Sequence, residues 1–358
     1  MQAIRRVLSS PAQQRPLHHF QILRASTFIH TNACPSSMKA IQVRNTGDSS
    51  VLQYVDVDKP AVSAGRLLIK NSFVGVNFID TYHRSGLYKV ELPFILGREA
   101  SGIVEAVGEG VSGFAQGDRV AYLSASTYAQ YTATPPTNVV RLPPEVTLEQ
   151  GAALLLQGLT ALMLAQQAYE VKPGDDVLVH AAAGGTGQML VQVCKHLGAR
   201  VIGTTSSEEK ADTARRAGAD DIILYTKHDV VQEVRKLTNG QGVAAVFDGV
   251  GRSTFDESLA CLKRLGFMLS FGNASGKVDS IDIMKLVPRA IRLMRPSLFE
   301  FLTTKEEFDV LAKQLMDLMA AGKVKIDPPM IYPLENAAKA HDVLEGRKTQ
   351  GKLLLQIP

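Results

Sequence analysis

Cysteine is scarce in this chain of 358 residues. Cys34, Cys194 and Cys261 are the only ones, too few and too widely spaced for a disulfide framework or a cysteine-rich zinc site. A reducing compartment suits such usage. No run of about 18 purely apolar residues stands out, which argues against membrane insertion, and no internal repeat or low-complexity segment is evident. Acidic residues are missing from positions 1–37, which carry Arg5, Arg6, Arg15 and Arg24. With those four set aside, 35 of the 39 basic residues remain against 35 acidic ones. The net charge of +4 therefore belongs to the leader and is poor evidence for a nucleic-acid-binding face. An arginine-bearing, serine-containing, acid-free start with Ile4, Val7 and Leu8 at helical spacing reads as a mitochondrial transit peptide over 1–37; the alternative is a disordered tail without an address. An internal start at Met38 would yield a cytoplasmic form.

What is present points to two domains. With 45% hydrophobic residues the chain can bury a large core. From Met38 to about Gly158 short strands alternate with turns: Val51–Val57 has period two, and Arg66–Val76 and Gly102–Val107 follow among glycines. From about Leu159 a helix runs toward Tyr169, and strand and helix then alternate. Strands are expected near 176–180, 200–204, 221–224, 243–247 and 265–271, the pattern of a parallel, doubly wound sheet. Long helices near 304–321 and 335–345 precede a terminal strand at 352–356.

The most informative stretch is Asp176-Val-Leu-Val-His180 followed by Ala181-Ala-Ala-Gly-Gly-Thr-Gly187 and an amphipathic run to Leu197. A strand that ends in small residues and enters a helix turns backbone amides and a helix N-terminus toward a bound diphosphate. Ala182 stands at the first glycine of the usual G-x-G-x-x-G pattern, with Gly184 and Gly187 matching the rest. Arg200–Thr204 follows at about the right distance for the second strand of the unit.

Eight ordered segments carry a family resemblance over nearly everything after Met38: Gly75–Tyr88, Gly97–Gly108, Gly117–Val120, His180–Gly187, Phe247–Gly251, Ser270–Asn273, Arg295–Leu298 and Thr349–Lys352. The chain resembles the zinc-independent medium-chain dehydrogenases/reductases of the quinone oxidoreductase, or zeta-crystallin, branch. The resemblance implies an α/β protein with a GroES-like β-rich catalytic domain, residues 38–158 and 298–358, and a Rossmann domain, 159–297. It also implies a site in the cleft between them, and usually a homodimer. Asn77 and Arg98 stand where zinc-using relatives place a cysteine and a histidine, and the four-cysteine lobe is missing. Glu99 and His83 alone make a poor zinc shell, so no metal is expected.

An NAD-specific site usually places a carboxylate at the end of the second strand. Here that end reads Gly203-Thr-Thr-Ser-Ser207. Ser206, Ser207 and Lys210 would meet a 2′-phosphate with donors and positive charge, so NADPH is the expected coenzyme. The resemblance adds Tyr225 to the adenosine-phosphate end. Gly184, Gly185, Thr186 and Gly187 are expected at the diphosphate. Gly249, Val250, Phe271, Gly272 and Asn273, at strand ends, are expected near the nicotinamide; Phe78, Thr81, Ser297, Phe299 and Lys352 join by resemblance.

With no flavin signature, the chemistry falls to the dihydronicotinamide. An acceptor that stabilises its own negative charge needs no Lewis acid, which favours quinones over plain ketones. Asn77, Tyr82 and Tyr88 are the expected acceptor contacts, tyrosine offering an apolar ring with a polar tip; Gln157 is a weaker candidate. The leading expectation is an NADPH-dependent quinone reductase. The alternatives are an enone or alkenal reductase, which must also protonate the α-carbon, and a zeta-crystallin-like protein that binds AU-rich RNA.

Overall fold

The computed structural model describes residues 37–346, 349 and 351–358; the expected leader, except for Ser37, lies outside them. Strand β1 (Ser37–Val43) pairs antiparallel with β2 (Leu52–Asp58) over seven residue pairs. Strand β3 (Leu67–Val76) runs into helix α1 (Phe78–Arg84), and β4 (Phe94–Ile95), β5 (Glu99–Val107), β6 (Arg119–Leu123), β7 (Tyr131–Thr134) and β8 (Val139–Arg141) follow. Here the apolar residues alternate or cluster in short runs, and burial ranges from none in β2 to nearly continuous in β3, β5 and β6. Ile41, Leu67, Ile69, Val74, Leu96, Tyr122 and Tyr128 form their shared core.

Helix α2 (Leu148–Leu162) starts eleven residues before the expected Leu159 and continues as a π-helical turn, Met163–Ala168. Its start is a capping box: Thr147 Oγ1 accepts from the Gln150 amide, and the Gln150 side chain accepts from the Thr147 amide. Leu148–Ala168 is long and apolar enough to cross a membrane, but 67% of its apolar window is buried. Leu154, Leu155, Leu159 and Leu162 sit in the largest core, and this core role accounts for the apolar length that the composition reading passed over.

The parallel sheet contains β9 (Asp176–Val179), β10 (Arg200–Thr205), β11 (Asp221–Leu224), β12 (Val243–Asp248), β13 (Leu262–Ser270) and β14 (Arg292–Met294). Its order, β11-β10-β9-β12-β13-β14, changes direction at β9, between β10 and β12. Helices α3 (Gly185–His196), α4 (Glu208–Arg216), α5 (Val230–Leu237) and α6 (Phe255–Cys261) connect its strands. In open sheets of this kind ligands sit beyond the carboxyl ends of the strands at such a switch point. The short strand β14 was not foreseen from the sequence.

After α7 (Leu298–Phe301) and α8 (Lys305–Ala320), the chain returns to the first sheet. Strand β15 (Met330–Pro333) pairs parallel with β16 (Leu353–Gln356), and β16 pairs antiparallel with β3, placing Leu353 opposite Val76. Helix α9 (Ala337–Glu345) packs beside them. This return brings Gly351 against the 181–187 turn, where its amide reaches Ala183 O and a short parallel bridge joins it to Gly184.

Candidate active site

The glycine turn is shaped by close approach of backbone. Strand β9 ends at Val179, Ala181 takes a positive φ of 51°, and α3 begins at Gly185. A Cβ on Gly187 would stand 2.2 Å from Ala181 O and 2.9 Å from Ala182 Cα, so only glycine lets the helix start this close to the strand. A Cβ on Gly184 would meet nothing nearer than Ala181 O at 3.2 Å, and one on Gly185 would strike the Gln157 side chain. Ala182 fits where the usual pattern has glycine because Gly203 on β10 gives it room: a Cβ there would lie 2.8 Å from Ala182 Cβ.

Two adjoining cavities share Phe78, His180, Ala181, Gly184, Val250 and Ala274 and form one cleft. The first, 390 Å³, is bordered by Thr204, Thr205, Ser206, Lys210 and Tyr225. The second, 480 Å³, is bordered by Asn77, Tyr82, Tyr88, Gln157, Gly185, Thr186, Gly187, Gly249, Phe271, Gly272, Ser297 and Phe299. The first has hydroxyls and an ammonium at its far end; the second is largely apolar. Gly249 and Gly272 allow two loops to touch, since a Cβ on Gly272 would stand 2.2 Å from Gly249 O.

Four expected residues are not on the cleft wall, and each has another task. Thr81 is buried, its hydroxyl donating to Phe78 O at 2.8 Å inside α1. Ser207 caps α4, accepting from the Lys210 amide at 3.4 Å. Asn273 is buried behind the two tyrosines. Lys352 is 2% exposed and donates to Glu99 Oε2 at 2.6 Å and Asn77 Oδ1 at 2.7 Å. Helix capping and internal hydrogen bonds claim these side chains.

The Lys352–Glu99 pair governs the Asn77 corner. Glu99 Oε1 accepts from the Leu156 amide at 2.6 Å, and Oε2 accepts from Asn77 Nδ2 at 3.1 Å. Gly75 leaves space for them, because a Cβ there would lie 2.1 Å from Glu99 Oε2. Arg98 donates to His83 Nε2 at 3.2 Å, and burial, with the Arg98 charge second, depresses the His83 pKa to about 4. Among the described residues no three His, Cys, Asp or Glu side chains converge as metal ligands. An ammonium and a guanidinium in this corner are wrong for a divalent cation.

Tyr82 is 7% exposed and its oxygen accepts from the Asn273 amide at 2.8 Å. Burial pushes its pKa up to about 12, so the phenol keeps its proton and can donate it as a hydrogen bond. Tyr88 lies edge-on to Tyr82 with ring centroids 5.2 Å apart. Its oxygen accepts from Arg295 Nη2 at 3.1 Å. With the Asn273 amide turned so that its nitrogen donates to Gly272 O at 3.1 Å, its oxygen accepts from Arg295 Nη2 at 2.9 Å and from Tyr88 at 3.3 Å.

Sequence reasoning missed a buried network beneath the turn. His180 Nδ1 meets Thr204 Oγ1 at 3.0 Å, and His180 Nε2 meets Ser258 Oγ at 3.0 Å. Ser258 and Thr254 then donate to Asp248 Oδ2 at 2.9 and 2.8 Å, while Asp248 Oδ1 accepts from the amides of Val250 and Gly251. Each donor points on toward Asp248, which fixes the 249–251 loop. Burial lowers the His180 pKa, so the ring is neutral and serves as a relay in that scaffold. A histidine closing the first strand was the available signal. Arg295, which opens the Arg295–Leu298 segment, also lines the second cavity.

Comparisons with known proteins agree with this geometry. Residues 63–144 match the alcohol dehydrogenase GroES-like domain and residues 185–316 the zinc-binding dehydrogenase family. A probable quinone oxidoreductase of Schizosaccharomyces pombe is 44% identical over 317 residues, 88% of this chain and 96% of that one. A mycobacterial protein solved with NADPH superposes with a TM-score of 0.87 at 46% identity, covering 89% of this chain and 100% of that one. Escherichia coli quinone oxidoreductase, also solved with NADPH, gives 0.87 at 41% identity over 89% and 99% of the two chains. Glycine turn, switch-point cleft and thiol-free corner thus fall together, and the chain belongs to the quinone oxidoreductase family of medium-chain dehydrogenases/reductases.

Proposed function

We propose that this protein is an NADPH-dependent quinone reductase. The observation that carries the reading is one cleft in which a glycine turn with a hydroxyl-and-lysine end opens into an apolar pocket edged by two phenols. When bound, NADPH supplies a hydride from C4 of its dihydronicotinamide. Gly184 to Gly187 would hold the diphosphate at the start of α3, and Ser206, Lys210 and Tyr225 would hold the 2′-phosphate end. Phe271, Phe299 and Leu156 exclude water from the other end, where Asn77 is fixed by Lys352 and Glu99. Tyr82 and Tyr88, each with its oxygen already taken by a donor, present their own hydrogens to an acceptor oxygen that gains negative charge. Reduction to the hydroquinone then needs one proton from solvent.

Steady-state rates with both coenzymes and a panel of quinones and 2-alkenals test this. NADPH should exceed NADH in kcat/KM by at least about tenfold, the weight of one charge-assisted contact. Quinones should exceed alkenals, and Lys210→Ala should weaken NADPH selectively. NADH equal to or better than NADPH would refute the coenzyme preference.

Two further proposals concern the whole protein. A homodimer is supported by β14, whose outer edge has no strand partner among the described residues, and by Ile283, Met284 and Val287 just before it, 75%, 61% and 63% exposed. Light scattering that finds only monomer would end that reading. Mitochondrial import of residues 1–37 is supported by their acid-free, arginine-bearing composition; a fluorescent fusion confined to the cytosol would end it.

A further inference from the structure

Arg295 is the one formally charged side chain among the described residues on the wall of the acceptor-side cavity. Its Nη1 donates to the carbonyls of Ser270 and Gly272, both at 2.9 Å, and approaches Ser270 Oγ at 3.3 Å. Its Nη2 donates to Tyr88 at 3.1 Å and to the Asn273 amide oxygen at 2.9 Å. Every one of these partners is neutral. Glu257, the acidic residue of the cleft, lines the other cavity, and the walls beside Arg295 are Pro296, Leu298, Phe299 and Phe271. No acidic side chain among the described residues pairs with this guanidinium; it is exposed, so water screens part of its field, and the part that reaches the pocket acts through the apolar walls and the Tyr88 hydroxyl.

Tyr88 extends that field. Because its oxygen accepts from Arg295, its hydrogen can turn from the long 3.3 Å contact with Asn273 to a ligand oxygen, and the cationic donor behind it makes the phenol a stronger donor. We propose that Arg295 and Tyr88 form an anion subsite that selects acceptors carrying a carboxylate beside the reducible ring. The proposal rests on the quinone-reductase reading and adds the charge class of the substrate. A purely architectural Arg295, tying the 270–272 strand end to the loop after β14, would affect neutral and acidic acceptors alike.

The test compares 1,4-benzoquinone-2-carboxylate with its methyl ester, using the full chain, NADPH, neutral pH and low ionic strength. The ester is the more easily reduced in solution, so intrinsic reactivity works against the expected result. The chain should prefer the carboxylate in kcat/KM by about tenfold or more, mainly through KM, the size expected for a hydrogen bond from Tyr88 to a charged group. Arg295→Lys should keep part of that ratio and Arg295→Gln should abolish it. Reduction of the ester as well as or better than the carboxylate by the unaltered chain would overturn the subsite while leaving the quinone-reductase reading intact, whether or not the variants fold. An equal ratio in Arg295→Gln would also overturn it. Failure to reduce either quinone would instead remove the quinone-reductase reading itself.

Discussion

At the diphosphate end of the cleft the wall is backbone and small side chains from one stretch, 181–187, whereas the acceptor end is assembled from side chains far apart in sequence. Lys352 reaches Glu99 across 253 positions, Arg295 reaches Tyr88 across 207 and the Asn273 amide reaches Tyr82 across 191. In the proposed function the first kind of wall takes a group common to all dinucleotides, for which backbone amides suffice. In the same proposal the second takes a particular acceptor, and it is built from buried groups that are costly to leave unpaired. Damage should therefore appear as loss of coenzyme at one end and as loss of stability or acceptor choice at the other.

The largest effect is expected where the acceptor end is most deeply buried. Lys352→Met leaves the Glu99 carboxyl without its ammonium in a site where both side chains are at most 1% exposed, and should cost about 3–5 kcal/mol in denaturant unfolding. The double variant Lys352→Met/Glu99→Gln should recover much of that loss. A single variant as stable as the parent would break the contrast, because the acceptor wall would then not depend on long-range pairing.

At the other end, Gly187→Ala drives a Cβ to 2.2 Å from Ala181 O, whereas Gly184→Ala places one 3.2 Å from the same oxygen, a tight contact that a shift of a few tenths of an ångström relieves. Overpacking of this kind costs about 1–3 kcal/mol, so the KM for NADPH should rise about tenfold or more in Gly187→Ala and far less in Gly184→Ala. Quinone KM should follow neither. Equal effects of the two substitutions would mean that the turn yields as a whole.

The same contrast decides what could be read in advance. Strands β9 to β13 and the glycine turn were legible because a period-two apolar run, a turn and an amphipathic helix are local patterns. Gly203, whose bare backbone makes Ala182 acceptable, was invisible because the compensation crosses strands. Helix α2 was placed late although Thr147 and Gln150 form a capping box, since its apolar face blends into the preceding β-rich pattern. Ser207 is expected at the coenzyme for its hydroxyl, Asn273 for its place at a strand end, and Thr81 and Lys352 by resemblance; internal partners claim all four side chains, which no linear spacing reveals. Arg295 was in view but had no role, because its partners Tyr88, Ser270 and Gly272 meet only in three dimensions.

A smaller effect tests the side of the β-rich core away from the cleft, where a row of buried groups leads toward Asn77. Arg84 Nη1 meets His341 Nδ1 at 3.1 Å, His341 Nε2 meets Tyr128 at 3.2 Å, and Tyr128 donates to Asp80 Oδ2, which also accepts from the Asn77 amide. Burial, with the Arg84 charge, lowers the His341 pKa to about 3, and burial raises that of Asp80 to about 7. The unfolded chain binds a proton at His341 below about pH 6.5 while the folded one resists until about 3, so stability falls with acid through that window by up to about 1.4 kcal/mol per pH unit. Asp80 acts in the opposite direction: the folded state holds its proton between the unfolded carboxyl value and about 7, which favours the folded state as pH falls. His341→Gln keeps a hydrogen-bonding side chain and removes only the first slope. Unfolding curves between pH 4.5 and 7.5 should therefore show a parent more acid-sensitive than the variant; an unchanged slope would mean that His341 is already protonated in the folded chain.

The smallest expected change separates orientation from catalysis at the acceptor end. Tyr82→Phe removes one hydroxyl whose oxygen also satisfies the Asn273 amide, so the variant loses a donor to the acceptor and leaves a buried N–H unpaired. Together these should lower kcat/KM for neutral quinones about tenfold, near the 1.4 kcal/mol of one lost hydrogen bond. The KM for NADPH should barely move, because the 181–187 turn proposed to hold the coenzyme shares no hydrogen bond with this phenol among the described residues. A loss of a thousandfold would make Tyr82 an obligatory acid, and the acceptor wall would then perform chemistry where its construction otherwise points to selection and placement. Full activity would leave the phenol with packing alone and place the whole polar recognition of the acceptor on Tyr88, Arg295 and Asn77.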